Sequence, residues 1–133
     1  MSYGLDTSVL VRLLVGEPAA LAAKARERLL LAHRLRQVVV ASDSVVAEAW
    51  YALKLHYELD PAEVRAAVLA MLTSGLVQSE PGSAVLSVLR SSAGGEAGFV
   101  DRLIQARYQA AGLTTLSMDK AQAKWGRVEL IGK

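Results

Sequence analysis

At 133 residues, with 53% hydrophobic side chains and a net charge of +2, the chain is expected to fold as a single domain, residues 1–133, with a real core. The absence of cysteine excludes disulfides and thiolate metal sites and suits a reducing cytoplasm, and two histidines, His33 and His56, are too few for a histidine-rich metal centre. The longest charge-free stretch, residues 66–79, is interrupted by Gly75 and too short to span a bilayer, and no basic segment followed by an apolar run marks a secretory signal.

Residues 3–5 read as a short buried strand, and the spacing of Val9, Leu10, Leu13 and Leu14 then predicts a helix. "GEPAALAAK" starts a second helix with Pro18 in its first position. The β-branched run "QVVVA" predicts a strand over 37–41. "SDSVVAEAWYALKLHY" opens a helix capped by Ser42, Asp43 or Ser44, with Val45, Val46, Ala49, Trp50 and Leu53 on its apolar face. In "DPAEVRAAVLAMLTSG" Asp60 caps, Pro61 begins the helix, Glu63 completes a capping box and Gly75 ends it. "LVQSE" is a short strand, "PGSAVLSVLRSS" a helix, and "AGGEAG" a flexible loop by composition. "FVDRLIQARYQAAG" is a helix ending at Gly112, followed by the strand "LTTLSM", the short helix "DKAQAK" and a last strand, "RVELI". Strands alternating with helices argue for an α/β fold, a three-layer α/β/α domain around a mostly parallel central sheet. In such sheets ligands bind beyond the carboxyl ends of the strands.

Charge is unevenly spread. Residues 1–36 carry six Lys/Arg against three acids, residues 101–133 the same, and residues 37–100 three against seven. Basic ends around an acidic middle suit a surface that meets a polyanion. The run Lys24, Arg26, Arg28, Arg34, Arg36 taken alone reads as a solvated helix face.

Four acids from distant segments, Asp6, Glu48, Asp101 and Asp119, map near strand carboxyl ends and helix amino ends. Singly, each has a plain explanation. Asp6 and Asp119 suit helix caps, Glu48 an exposed helical position, and Asp101 the positive end of a helix dipole. Their coincidence points to one site, and the apolar neighbours in "GLD" and "FVD" predict partial burial of Asp6 and Asp101. Two carboxylates ~5 Å apart repel by about 3 kcal/mol at an effective dielectric of ~20. Convergence therefore asks for a cation, and oxygen-only ligands select Mg²⁺ or Mn²⁺. Such ions commonly serve phosphoryl chemistry.

On "GLDTSVLVRLL", "SDSVVAEAWYAL", "FVDRLIQARYQAAG" and "LTTLSMDKA" the chain resembles PIN-domain ribonucleases, and more narrowly the VapC-type toxins of toxin–antitoxin pairs. The resemblance runs nearly end to end. It implies a metal-dependent endoribonuclease whose products carry a 5′-phosphate and a 3′-hydroxyl. It places the family's acids on Asp6, Glu48, Asp101 and Asp119, with Asp6 and Asp101 as the most direct metal ligands and the other two completing the site. Ser8, where many members have asparagine, would hydrogen-bond a ligand carboxylate or the scissile phosphate. Met118 stands where the family often has an aromatic residue. The implied partners are RNA, a cognate antitoxin and a second copy of the chain in a homodimer.

Thr7 reads as a capping residue, Glu96 as a solvated loop glutamate, and Lys120 and Lys124 as surface lysines near enough to Asp119 to touch RNA phosphate. Trp50 falls on the apolar face of its helix and reads as core, and Tyr51 or Tyr57 is a candidate to stack a base or line a partner groove. Other readings fit less well. A haloacid-dehalogenase-type phosphatase needs a second aspartate where Ser8 stands. A receiver domain wants adjacent acids after its first strand. "AGGEAG" lacks the lysine of a phosphate loop. A PIN-fold RNA-binding or regulatory module without turnover is the remaining non-enzyme reading.

Overall fold

A computed structural model of the chain describes residues 2–91 and 98–132. Glu96 and most of the "AGGEAG" segment lie outside the described residues. Five strands alternate with six α-helices and one 3-10 helix: β1 Ser2–Gly4, α1 Thr7–Val15, α2 Ala19–Arg34, β2 Val38–Ala41, α3 Asp43–Leu55, α4 Pro61–Leu72, β3 Gln78–Ser79, α5 Val85–Arg90, α6 Phe99–Ala110, β4 Thr115–Ser117, the 3-10 helix Lys120–Lys124, and β5 Val128–Leu130.

Local chemistry sets most of the boundaries. Asp6, in extended backbone, accepts from the Ser8 N–H and starts α1, and Gly16 ends it with a φ of 78°. Pro18 stands just before α2 in extended conformation, one place earlier than expected. Of the three candidate caps for α3, Ser42 serves: its Oγ accepts from the Val45 N–H at 3.1 Å. Asp60 occupies the cap position of α4, but its side chain makes no capping hydrogen bond, so the expected capping box is not formed. That helix stops at Leu72, short of Gly75, where the Thr73 hydroxyl donates back to the Leu69 carbonyl at 2.7 Å. Gly98 opens α6 with a φ of 82°, a conformation that residues with a Cβ rarely adopt.

Among the described residues every strand pair is parallel. β1, β2 and β3 lie in that order, with Tyr3 opposite Val39 and Val40 opposite Gln78. β4 pairs with β5, Leu116 opposite Glu129. The strands thus form two hydrogen-bonded groups where one sheet was expected, within the three-layer α/β/α arrangement. The core joins Val39 and Ala41 of β2 to Leu10 and Leu13 of α1, Val46, Trp50 and Leu53 of α3, Val64 and Val68 of α4, and Phe99 and Leu103 of α6. Trp50 stacks on Phe99 with ring centroids 4.1 Å apart, which locks α3 to α6.

A polar clamp holds the same two helices at the surface. Arg107 of α6 donates from Nη1 to Asp43 Oδ2 at 2.8 Å and to Glu80 Oε1 at 2.9 Å. Glu80 Oε1 also accepts from the Asp43 N–H at 2.7 Å, and Ser83 Oγ donates to Asp43 Oδ1 at 2.5 Å. The first turn of α3, the segment after β3 and the middle of α6 therefore share one network. The Asp43 N–H, and after it Arg107, hold the Glu80 carboxyl below its ordinary value of 4.5. A depressed carboxyl stabilises the fold above its unfolded pKa and loses that contribution as pH falls through its folded pKa. Glu80→Gln should therefore lower Tm at neutral pH by a few degrees, about 1 kcal/mol given solvent screening. The gap to wild type should begin to close as the pH falls below the ordinary 4.5 and vanish only below the lower folded value, where wild-type Glu80 is protonated too. Thermal melts of both proteins across pH check this, and a gap independent of pH would remove Glu80 from the clamp.

Candidate functional site

Each of the four acids sits in the amino-terminal part of a helix. Asp6 is the N-cap of α1, directly after β1, and Asp119 is the N-cap of the 3-10 helix, directly after β4. Asp101 lies in the first turn of α6, whereas Glu48 is in the second turn of α3, deeper than expected. All four side chains are exposed. The burial expected for Asp6 and Asp101 is therefore absent, and the reason is local. Leu5 and Val9 pack on the core while Asp6 turns to its own helix. Phe99 and Val100 take the core side of α6, and the next residue round the helix emerges into water.

Asp6 is held closely by Ser8. The Ser8 hydroxyl donates to Asp6 Oδ2 at 2.6 Å and the Ser8 N–H to the same oxygen at 3.2 Å. The hydroxyl first, then the backbone N–H, hold the Asp6 carboxyl below the usual aspartate range, against a smaller opposing effect of burial. Donors on its own helix thus favour the charged form of Asp6.

Thr7 does not cap. It is the first residue of α1, and its hydroxyl donates to Glu48 Oε1 at 2.6 Å, tying α1 to α3. The residue beside Asp6 thus grips Glu48, a link between positions 41 apart that no local pattern announces. Asp119 accepts from the Ala121 N–H at 2.9 Å, and its own N–H donates to Ser117 Oγ at 3.0 Å. The Asp101 side chain makes no hydrogen bond among the described residues. Its helix is nevertheless fixed to that of Glu48, because Phe99, two residues before it, stacks on Trp50, two residues after Glu48.

The four helix ends are positioned by these contacts, but the carboxylates themselves are spread. Among the described residues no group of three or more His, Cys, Asp or Glu side chains is placed to hold one metal ion. The donor chemistry still suits a hard cation: carboxylates and hydroxyls only, with Asp6 favoured in its ionised form. Trp50 is 1% exposed and belongs to the core, while Tyr51, Tyr57, Lys120, Lys124 and Met118 are exposed.

Two cavities flank α6. One, of about 500 Å³, lies between α3 and α6, with Ala47, Ile104 and Tyr108 in its walls beside the Asp43–Glu80–Arg107 clamp. Glu80 and Arg107 were not singled out in the sequence, since neither belongs to a motif and their partners are remote in the chain. The other cavity, of about 360 Å³, lies on the opposite flank against α5 and the 3-10 helix. No helix among the described residues is long and apolar enough to cross a membrane.

The family model for the PIN domain matches residues 3–128, a span that begins in β1, ends at the first residue of β5 and contains all four acids. Neither the curated proteins nor the solved structures yield a match. PIN domains are generally nucleases, hydrolases acting on nucleic acid, and commonly use divalent metals. With the match covering nearly the whole chain and the parallel strands and helices in the corresponding order, the protein belongs to the PIN-domain family.

Proposed function

We propose that the protein is a Mg²⁺- or Mn²⁺-dependent endoribonuclease, acting in the cytoplasm as the toxin of a type II toxin–antitoxin pair. The observation that carries this reading is the placement, inside one PIN domain, of Asp6, Glu48, Asp101 and Asp119 on the amino-terminal stretches of four helices, with Thr7 bonded to Glu48 beside an ionised Asp6. Asp6 and Asp101 are the most direct candidates to hold the ion, and Glu48 and Asp119 complete the set. The chemistry such an ion supplies is charge neutralisation at the phosphodiester and a more acidic water.

The chain's own groups prepare the site. Ser8 fixes the Asp6 carboxylate through Oδ2 and keeps it charged. Thr7 fixes Glu48 through Oε1. Water adds to phosphorus, the bond to the 3′ oxygen breaks, and the products carry a 5′-phosphate and a 3′-hydroxyl. Protein partners, an antitoxin and a second copy in a homodimer, are supported by exposed apolar side chains on α2 and at its carboxyl end, Leu21, Leu30, Leu31 and Leu35. A cavity of about 260 Å³ beside it, with Leu5, Val9 and Leu29 in its walls, adds to that surface. The spread of the four acids favours a second reading, a PIN-fold module that binds RNA or regulates without cutting it.

Three measurements separate these readings. Purified protein should cleave single-stranded RNA with Mg²⁺ or Mn²⁺ and stop in chelator. Asp101→Asn should lose most turnover, on the order of 10²-fold or more, while keeping its melting curve, since it removes a charged ligand at constant shape. Undiminished cleavage in excess chelator, or full activity of the variant, would sink the metal mechanism.

Expression alone should slow growth, and co-expression with the product of a small neighbouring open reading frame should restore it. Vigorous growth under strong expression of active wild type would count against a toxin.

Thermal melts test Asp6 itself. At ~10 mM ion and a dissociation constant of ~1 mM, linkage stabilises by about 1.4 kcal/mol, roughly 3–6 °C. Wild type should gain that increment and Asp6→Asn only part of it. In chelator Asp6→Asn should melt at or slightly below wild type, because the amide oxygen still accepts from Ser8 while the favourable charge is gone. Asp6→Ala should melt lower again. A wild-type Tm indifferent to metal would leave Asp6 as a helix cap alone.

A further inference from the structure

The cavity on the far flank of α6 from the Arg107 clamp has an unusual lining. Its polar walls are Arg102 and Gln105 of α6, Lys124 of the 3-10 helix, Ser87 of α5 and Ser91, with Trp125 beside them. Two of these are cations, and among the described residues none is a carboxylate. Arg102 Nε is buried there without a hydrogen-bond partner. Its guanidinium lies over the Trp125 ring, 4.9 Å from the centroid, so its position is held by the aromatic face rather than by an acceptor. Gln105 is not available for a ligand: its amide nitrogen already donates to the Gly126 carbonyl at 2.6 Å and to Gln109 Oε1 at 3.0 Å.

A buried guanidinium N–H without an acceptor is costly and asks for one. The group that answers an arginine fork, an ammonium and serine hydroxyls together is an oxyanion with several acceptor oxygens, and phosphate fits that description. Position narrows the source. Arg102 follows Asp101 directly and stands about 100° round α6 from it. Lys124 ends the short helix that Asp119 caps. The cavity is therefore walled by residues of the helix that carries Asp101 and of the helix that Asp119 caps. We propose that it is a phosphodiester subsite, in which Arg102 and Lys124 bind the backbone phosphate of an RNA nucleotide flanking the cleaved bond. This rests on the RNA-cleaving reading above and extends it to the path of the substrate.

The test is RNA binding as a function of salt, measured in chelator on the full chain with an unstructured single-stranded oligonucleotide. Each phosphate contact to single-stranded nucleic acid contributes about 0.7 to the slope of log K against log salt. Lys124→Ala, an exposed position, and Arg102→Gln should each weaken binding about 3–10-fold and flatten the slope by about 0.7. Arg102→Lys should keep the slope while losing affinity, since it retains the charge and not the fork. Inorganic phosphate should compete with RNA less effectively in the variants than in wild type. Unchanged affinity and slope in both Lys124→Ala and Arg102→Gln overturn the proposal. Phosphate competition that the variants blunt, with RNA binding unmoved, also overturns it, because the site then takes free anion only. Cleavage with Mn²⁺ run in parallel tells the two failures apart. Wild type that cuts RNA with variants of unaltered binding keeps the nuclease and loses the subsite. Altered slopes without any cleavage keep the subsite and lose the nuclease.

Discussion

The apposition of α3 and α6 is the constraint on which the rest of the site depends. It is made twice, by a dry contact and a wet one. Inside, Trp50 and Phe99 are each 1% exposed and stack face to face, a pairing worth about 0.5–1.5 kcal/mol beyond the area it buries. Outside, Arg107 reaches from α6 to Asp43 and Glu80. Helical geometry then decides where the acids go. Residues two apart on a helix point about 200° away from each other. Glu48 precedes Trp50 by two and Asp101 follows Phe99 by two, so burying the two rings turns the two carboxylates outward. The exposure of the acids follows from the core rather than from any weakness in it.

Each acid finds its surroundings separately. Asp6 and Asp119 satisfy themselves at the N-termini of their own helices, and Glu48 leans on a threonine hydroxyl. Helix amino ends favour negative charge by a few tenths of a kcal/mol to about 1 kcal/mol each. Three of the four acids thus bind donors within the chain, and at Asp6 the Ser8 donors lower the carboxyl pKa. Exposed carboxylate oxygens at helix amino ends remain open to a cation.

Much of this was legible in the sequence, and the rest was hidden for identifiable reasons. Apolar spacing placed Val46, Ala49, Trp50 and Leu53 on one buried face of α3, because burial and helical period act over neighbours in the chain. Gly112 after α6 and Asp119 before the 3-10 helix were readable for the same reason. Asp60 looked like an equally good cap and forms no capping bond, since composition does not fix a side-chain rotamer. The Thr7–Glu48 bond and the Asp43–Glu80–Arg107 clamp were not legible at all. Their partners lie 41, 64 and 27 residues apart, and long-range polar pairs leave no periodic trace. The exposure of Asp6 and Asp101 was misjudged because apolar neighbours in sequence lie on other faces once the helix is formed.

The same helix explains how an acidic site can live in a chain of net charge +2 and still meet a polyanion. Asp101 stands on the outer ridge of α6. Val100 lies about 100° round on one side and lines the cavity of the carboxylate–arginine clamp. Arg102 lies about 100° round on the other and lines the cavity that holds only cations among its described charged residues. Screening at ordinary ionic strength confines an exposed charge to about 10 Å, so the distant basic segments of the chain do little at the ridge itself. The cations that count there are those the fold brings beside the acids. Arg102 is bonded in sequence to Asp101, and Lys124 is carried by the helix that Asp119 caps, so the order of residues alone ties each of these acids to a neighbouring positive charge.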